Sequence, residues 1–254
     1  MSLSDLSATF RPFEDETIED LGRNGLRILQ KQHGFRYGTD AVLLSDFALI
    51  HKRDRVADFG AGTGIISLLL VGRYPDIHVD AIELQSDMAD MAGRSVLMNA
   101  LTDRVKVHHA DIRDALSLLG TNSMDAVVCN PPYYKSDASL LPEDENKRTS
   151  RMDGSITISE ICLSANKVLK SGGRMSVVFP AARAMELMSA MERNRLAPKR
   201  IRTVHGTVNH APKLVLIDAV KDGGEQLMWL PPLILQNADG TPTEEYKRIY
   251  GEEK

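Results

Sequence analysis

The sequence predicts an α/β fold whose core is a doubly wound, mostly parallel sheet with an antiparallel hairpin at its C-terminal edge. After Asp54, short runs of β-forming residues alternate with segments of helical periodicity, which is the rhythm of βαβ units. Residues 125–129 are almost continuously apolar, as expected for a strand that is buried on both faces. Near the C-terminus, two apolar-rich runs at 201–208 and 214–220 flank a polar loop, as in an antiparallel pair of strands.

The individual elements follow from periodicity and from capping and turn residues. In the first half of the alternating region we expect strands at 55–58, 77–83, 105–109 and 125–129, and helices at 65–73 and 87–101. In the second half we expect helices at 157–169 and 181–194 and a strand at 174–179 before the edge hairpin.

The segments outside the alternating region have weaker patterns. Residues 26–35 predict a small β-hairpin that turns at His33 and Gly34. Thr39 is the predicted N-cap of a helix from Asp40 to Ile50. The segment from Pro231 onward is rich in polar and turn-forming residues, and we expect it to form a surface strap.

The length and composition predict one main domain. A chain of 254 residues with 43% hydrophobic content can close one sizeable core. We expect an N-terminal hairpin and helix at 1–50 packed on a catalytic core at 51–235, followed by a tail at 236–254.

The composition also narrows the class of protein. The sequence has no run of about 18 uncharged apolar residues and no signal-peptide pattern at its start. Cys129 and Cys162 have neither metal-ligand spacing nor the density of a disulfide framework. We therefore expect a soluble, cytoplasmic protein without a metal site. The net charge of -4 does not by itself indicate a nucleic-acid partner, because phosphate binding depends on local clusters of Lys and Arg.

A glycine-rich turn follows the first predicted strand of the alternating region and precedes a helix. Such a turn lets the backbone approach a ligand closely and offers free N–H groups, although it can also be a tight loop without a ligand. A dinucleotide fingerprint would require glycine where the chain has Ile65, so NAD is disfavoured. The residues of the turn and of the strand end before it are Asp58, Gly60, Ala61, Gly62 and Gly64. Their spacing resembles the first motif of class I S-adenosylmethionine-dependent methyltransferases. The resemblance implies that the turn wraps the methionine part of the cofactor and that Asp58 orients its amino group.

Acidic residues follow the next two predicted strands. Glu83 ends the second strand, where a carboxylate accepts hydrogen bonds from ribose hydroxyls in this topology. Asp111 follows the third strand, and the resemblance implies contact with the adenine amino group; helix capping is the alternative role, and Asp114 is a competing acid. We include the adjacent Leu84 and Ile112 in the predicted cofactor site.

Asn130, Pro131, Pro132 and Tyr133 form a rigid corner at the end of the fourth strand, where ligands of a doubly wound sheet collect. The Asn130 oxygen and a backbone carbonyl can accept both N–H bonds of a planar amino group and draw its nitrogen toward tetrahedral geometry. Tyr133 offers a flat face for a base to stack on. The alternative is a strand-terminating turn. The tetrapeptide resembles the catalytic motif of methyltransferases that act on adenine N6, guanine N2 or a glutamine amide.

A resemblance over about residues 15–246 narrows the acceptor. The segments that carry it are 20–26, 38–44, the Asn-Pro-Pro-Tyr-Tyr corner, 199–202, 204–205 and 230–233. Through them the chain resembles the bacterial tRNA(Val) adenine-N6 methyltransferase family, which modifies the adenosine beside the anticodon. This resemblance implies a class I, Rossmann-like fold, S-adenosylmethionine as cofactor and tRNA as partner.

Other acceptors stay open at the level of the sequence. Methylation of a glutamine amide in a translation factor is the first rival, but the enzymes of that kind carry an N-terminal helical domain, and only about fifty residues precede the glycine turn here. Methylation of guanine N2 in rRNA is a second. A noncatalytic RNA-binding module is a rival of another class, and the combination of Asp58, Glu83 and Asn130 argues against it.

Four further sites are predicted to contact cofactor or RNA. Thr39 and Asp40 precede the glycine turn and either line the cofactor site or cap a helix. The stretch Arg193–Lys213 holds six Lys or Arg and no Asp or Glu, so it is either a phosphate-binding surface or an ordinary solvated hairpin. The loop Leu140–Asp153 follows the Asn-Pro-Pro-Tyr corner and is either a substrate lid or a solvated loop.

Overall fold

The computed structural model describes residues 12–33, 38–131 and 156–251, and its architecture is a mixed, mostly parallel sheet covered by helices on both faces. The strands are β1 Glu16–Asp20, β2 Arg27–Lys31, β3 Arg55–Phe59, β4 His78–Glu83, β5 Val105–His109, β6 Met124–Cys129, β7 Leu169–Pro180, β8 Leu196–His205, β9 Leu214–Lys221, β10 Met228–Trp229 and β11 Leu233–Ile234. The order of the strands across the main sheet is β10-β8-β9-β7-β6-β3-β4-β5, and β11 also pairs with β8.

The helices alternate with the strands, as the sequence predicts. They are α1 Thr39–Phe47, α2 Ile65–Arg73, α3 Ser86–Met98, α4 Ala115–Leu119, α5 Ile158–Val168, α6 Ala184–Arg193 and α7 Glu244–Tyr250, and short 3-10 turns at Ile112–Asp114 and Ala181–Arg183 precede α4 and α6. Thr157 and Glu160 form a capping box at the start of α5, each side chain accepting a hydrogen bond from the backbone N–H of the other.

Alternation along the parallel strands builds two hydrophobic cores, one on each face of the sheet. On β3, Val56 points to a core formed with α1, α2 and α7, whereas Ala57 points to a core formed with α4, α5 and α6. On β6, Val128 and Val127 divide in the same way. Because successive side chains of a strand face opposite sides, a strand covered on both faces is apolar at nearly every position.

The fold class predicted from the sequence is confirmed, and the C-terminal edge is more elaborate than a terminal hairpin. β9 lies between β7 and β8 and is antiparallel to both. The short strands β10 and β11 then extend the sheet in parallel with β8.

An N-terminal hairpin is present, but β2 is its second arm and not its first, and its partner is the acidic strand β1. The predicted turn residue Gly34 and residue 35 lie outside the described residues. The connection at 21–26 contains Gly22, Asn24 and Gly25 at positive φ, which suits a turn. The helix that follows begins one residue earlier than expected, because Gly38 and not Thr39 is its N-cap.

The C-terminal segment is partly helical, which corrects the prediction of an irregular strap from Pro231. Thr243 caps α7 by accepting a hydrogen bond from the Tyr246 N–H, and Gly251 ends the helix at a φ of +79°. Ile249 is 1% exposed and belongs to the same core as α1 and α2.

The domain boundaries at residues 50 and 235 stay a prediction.

Within the three described ranges, no helix has both the length and the apolar character that crossing a membrane would require.

Candidate functional site

The register of the parallel strands brings the predicted site residues to one end of the sheet. Phe59 on β3 aligns with Ile82 on β4 and with Cys129 on β6. The residues that follow these positions therefore leave the sheet at the same level, on strands about 4.8 Å apart. The glycine turn, Glu83 and Asn130 thus meet at the carboxyl edge, where open α/β sheets bind ligands.

The glycine turn is held to β4 through its backbone. The N–H groups of Gly60 and Ala61 both donate to the carbonyl of Ile82, at 2.9 and 3.0 Å. Gly60, Gly62 and Gly64 have φ values of +71°, +57° and +87°, which residues with a side chain rarely adopt. A Cβ on Gly62 would find no atom within 4 Å, whereas one on Gly64 would lie 3.3 Å from Ala92 Cβ. The turn is thus open at Gly62 and tightly packed on α3 at Gly64.

Asp58 lies directly before this turn and is 0% exposed. Its Oδ2 accepts hydrogen bonds from the Ser67 backbone N–H at 3.1 Å and the Ser67 hydroxyl at 2.7 Å. Its Oδ1 is buried and has no hydrogen-bond partner among the described residues. Burial raises the pKa of Asp58 to about 7, with the Glu83 carboxylate adding to the rise and the two Ser67 bonds opposing it. A buried oxygen without a partner suits a ligand that brings a hydrogen-bond donor or a positive charge.

Glu83 links the turn to the loop after β4. Its Oε2 accepts from the Gly62 N–H and its Oε1 from the Gln85 N–H, both at 2.8 Å, and the residue is 6% exposed. The carboxylate therefore already shapes the glycine turn. Each oxygen can accept a second hydrogen bond, so these contacts are compatible with the predicted ribose contact.

The loop after β5 lies beside the glycine turn. If Gly60 carried a Cβ atom, that atom would lie 4.0 Å from Ile112 Cδ1 of this loop. Asp111 caps the 3-10 turn by accepting from the Arg113 N–H, and it also forms an ion pair with the Arg113 guanidinium at 2.6 Å. The hydrogen bond from Arg113 lowers the pKa of Asp111. Asp114 is exposed and makes no side-chain cap. Leu84 is 55% exposed.

Asn130 and Pro131 lie directly after β6, level with the start of the glycine turn. Asn130 is half-buried and Pro131 is buried. Pro132, Tyr133 and the loop Leu140–Asp153 lie outside the described residues, so their predicted roles stay predictions.

Thr39 and Asp40 form the start of α1, and both are half-buried. The Thr39 hydroxyl accepts a hydrogen bond from the Tyr250 hydroxyl at 3.2 Å. This contact joins α1 to α7 through Thr39. The predicted contact of these two residues with a cofactor stays a prediction.

Gln30 is a site-shaping residue that the sequence analysis missed. It is 0% exposed on β2, and its side-chain amide donates to the hydroxyl of Thr63 within the glycine turn. Thr63 is itself 2% exposed. The N-terminal hairpin is thereby anchored to the turn. A polar residue between Leu29 and Lys31 gives no signal in the sequence of a contact 33 residues away.

The basic stretch Arg193–Lys213 is largely occupied by partners within the chain. Arg200 pairs with the buried Asp218 at 2.7 Å and stacks 4.6 Å from the Phe47 ring centroid. Arg202 pairs with Glu245 at 2.9 Å. Both guanidiniums therefore have structural roles that the sequence analysis did not predict, and an RNA-binding role for this stretch rests on its remaining cations.

Within the described residues, no group of three or more His, Cys, Asp or Glu side chains is arranged to hold a metal ion. Cys129 and Cys162 are free and fully buried, and burial raises the pKa of both thiols. They are therefore apolar members of the core.

Comparison with known proteins identifies the family to which the chain belongs. Residues 33–196 match the model of the methyltransferase small domain family. A tRNA1(Val) (adenine(37)-N6)-methyltransferase of Porphyromonas gingivalis is 28% identical, and the match covers 84% of this chain and 86% of the relative. A protein of the same name from Aliivibrio fischeri is 28% identical, covering 73% of this chain and 77% of the relative.

Solved structures share the fold at lower identity. A predicted O-methyltransferase from Agrobacterium tumefaciens has a TM-score of 0.69 at 21% identity, covering 84% of this chain and 96% of that one. M. jannaschii TYW2, solved in complex with AdoMet, has a TM-score of 0.57 at 17% identity, covering 83% and 87%. The class I methyltransferase fold, the glycine turn at its carboxyl edge and the family match agree, and the chain belongs to the methyltransferase small domain family.

Proposed function

We propose that this protein transfers a methyl group from S-adenosylmethionine to the N6 amino group of an adenine in tRNA, beside the anticodon. The observation that carries the proposal is the meeting of two features at one edge of the sheet. An open glycine turn, with a buried Asp58 oxygen that has no hydrogen-bond partner in the described part of the chain, lies next to an Asn-Pro corner on the neighbouring strand.

The residues around the glycine turn fit the cofactor. The unpartnered Oδ1 of Asp58 suits the charged amino group of its methionine part, and Gly62 leaves the space that a close backbone approach needs. Glu83, at the end of β4, would hold the ribose, and Leu84, Asp111 and Ile112 would surround the adenine. When bound, S-adenosylmethionine supplies an electrophilic methyl group on a positively charged sulfur.

The Asn-Pro corner would position the acceptor nitrogen. An exocyclic amino group is a weak nucleophile because its lone pair is delocalised into the ring. The side-chain oxygen of Asn130 and the carbonyl of Pro131 would accept its two N–H bonds and localise that lone pair on the nitrogen. Holding the nitrogen in this orientation also supplies the proximity on which methyl transfer depends. Tyr133 would stack on the base.

The acceptor is proposed from the relatives. Proteins of Porphyromonas gingivalis and Aliivibrio fischeri that align with most of this chain have names that specify adenine N6 in a valine tRNA. A tRNA acceptor implies work in the cytoplasm. Contacts with the RNA would come from the exposed members of Arg193–Lys213, such as Lys213, and from the loop Leu140–Asp153.

To test this, the full chain is incubated with S-adenosylmethionine that carries a labelled methyl group. Three acceptors are supplied in separate reactions: unmodified valine tRNA transcript, rRNA, and a translation release factor. We expect label in the tRNA only. A transcript in which guanine replaces the adenine beside the anticodon is the matched control and should stay unlabelled. Label in the release factor or only in rRNA would contradict the proposal, and binding of cofactor without any transfer would favour a noncatalytic module.

A further inference from the structure

A cationic groove lies on the sheet face that carries α1, α2 and α7. It is an open depression of about 530 Å³, and the residues that line it are Arg23, Asp46, Arg73, Arg248 and Gly251. These residues come from the turn of the N-terminal hairpin, the ends of α1 and α2, and the last turn of α7. Four separate segments of the chain thus converge on one groove.

The groove carries an excess of positive charge. Among the described residues that line it, Asp46 is the one carboxylate, and it accompanies three arginines. It pairs closely with Arg73 at 2.7 Å and loosely with Arg248 at 3.6 Å. A second acid, Glu245, is 3.8 Å from Arg248 but 2.9 Å from Arg202, which it already neutralises. Among the described residues, both ion pairs of Arg248 are therefore long.

The environment of Arg23 reflects this excess. Desolvation and the nearby charges of Arg73 and Arg248 lower its pKa, while Asp46 only partly opposes them. The guanidinium is held in place by a hydrogen bond from its NH2 group to the Ile249 carbonyl at 3.1 Å. A positioned but partly desolvated cation among other cations is stabilised by an incoming anion.

We propose that this groove binds a phosphate group, which we assign to the sugar–phosphate backbone of the RNA substrate. Guanidinium groups match phosphate oxygens with paired N–H donors, and the open shape admits a group that remains attached to a chain. The assignment to RNA rests on the proposed function.

The position of the groove suits a second anchor for a large substrate. α2 begins at the glycine turn and ends at Arg73, so the groove is about 13 Å from the turn at 1.5 Å per helical residue. A nucleic acid whose target base lies at the Asn-Pro corner, on the strand next to the glycine turn, can span this distance within a few nucleotides.

The test measures binding of unmodified valine tRNA transcript to the full chain at a series of KCl concentrations, by fluorescence anisotropy. Arg248→Gln is the variant, because its side chain is 47% exposed and its ion pairs are long, so that the fold should tolerate the change. We expect an increase in Kd of about threefold to tenfold at low salt. The slope of log K against log salt should fall in magnitude by about 0.7 to 0.9, as for one lost phosphate contact.

Arg55→Gln is the matched control. It removes the same charge from a side chain that is 48% exposed, forms a long ion pair with Asp80 at 3.4 Å, and lies at the start of β3, outside the residues that line the groove. We expect its Kd and salt slope to match those of the unaltered protein. An equal effect of both variants, or no effect of Arg248→Gln, would overturn the proposal.

The phosphate in the groove could belong either to the RNA backbone or to a free phosphate compound. Titration with inorganic phosphate, followed by calorimetry, distinguishes these two sources. If Arg248→Gln lost binding of inorganic phosphate while its RNA affinity stayed unchanged, the groove would belong to a free phosphate compound and the RNA assignment would be wrong. Because these measurements record binding, a protein that binds tRNA through the groove but does not methylate it would contradict the proposed function alone.

Discussion

Asp58 and Asn130 lie at the carboxyl ends of two paired strands, but the sequence defines their roles unequally. A strand followed by a glycine turn indicates where Asp58 lies, and the structure adds that one of its oxygens is buried with no hydrogen-bond partner among the described residues. That property depends on Ser67 binding only the other oxygen, and no local pattern specifies it. For Asn130, the consecutive prolines already predict a rigid corner.

The raised pKa of Asp58 predicts that cofactor affinity depends on pH. A cationic amino group near the carboxylate favours its ionised form, so binding below about pH 7 must release a proton. We expect the Kd for S-adenosylmethionine to fall as the pH rises from 5.5 to 7.5, by up to about tenfold per unit at the acidic end. Calorimetry in two buffers of different ionisation enthalpy measures the released proton.

The Asp58→Asn variant is the control, because it cannot ionise and should bind weakly without this pH dependence. A Kd independent of pH, without proton release, would contradict the role of Asp58. Without ligand, the stability of the protein should change in the opposite direction to cofactor affinity. The Asp58 carboxyl has a pKa of 3.8 in the unfolded chain and about 7 in the folded one, so its contribution to the free energy of unfolding falls as the pH rises between these values.

The Asn130→Ala substitution tests the acceptor end of the site. Removing a positioned acceptor of hydrogen bonds should lower the rate of methyl transfer by about 10² to 10³-fold. The Kd for S-adenosylmethionine should stay within a few fold, since Asp58 and Glu83 are unchanged. Single-turnover kinetics and calorimetry give the two values, and a comparable loss of both would indicate that Asn130 is structural.

Among the secondary-structure elements, most of those in the βαβ region were predictable, whereas helix α4 and the N-terminal hairpin were not. Helix α2 and strand β5 begin and end where their periodicity indicates. Strand β1 contains three acidic residues, which are uncommon in strands, so its sequence does not indicate a strand. Glu16 is nevertheless buried, because Arg94 of α3 pairs with it at 2.6 Å. Tertiary contact, and not propensity, forms this strand.

The hairpin's link to the glycine turn predicts a measurable coupling. Gln30→Leu should destabilise the protein by about 1 to 3 kcal/mol, because it leaves the buried Thr63 hydroxyl without its donor. Thr63→Val removes the other partner, and the double variant should be less destabilised than the sum of the single changes. Urea denaturation of the three variants measures the coupling, and strictly additive effects would show that the hydrogen bond contributes nothing.

For the whole molecule, the C-terminal helix α7 belongs to the core and completes one face of the fold. The sequence contains the signals for this helix: Thr243 as cap, acids at 244 and 245, basic residues at 247 and 248, and Gly251 after its end. Its docking was not predictable, because Ile249 packs in a core with members of α1 and α2, which lie more than 170 positions earlier in the chain. The partners of Arg200 and Arg202 were hidden for the same reason.

Ile249→Ala should therefore lower the free energy of unfolding by about 2 to 5 kcal/mol, the usual cost of this truncation in a core. Met185→Ala is the matched control, since its side chain is 74% exposed and its truncation should change stability by less than about 0.5 kcal/mol. Denaturant unfolding gives both values. An unchanged stability of the Ile249 variant would mean that α7 does not contribute to the core.

The most direct test of the account identifies the methylated nucleoside. Valine tRNA transcript is incubated with the protein and S-adenosylmethionine, digested to nucleosides and analysed by mass spectrometry, with the Asn130→Ala variant run in parallel. The account predicts N6-methyladenosine with the unaltered protein and at most a trace with the variant. Methylguanosine in place of methyladenosine, or no methylated nucleoside from a protein that binds the cofactor, would contradict it.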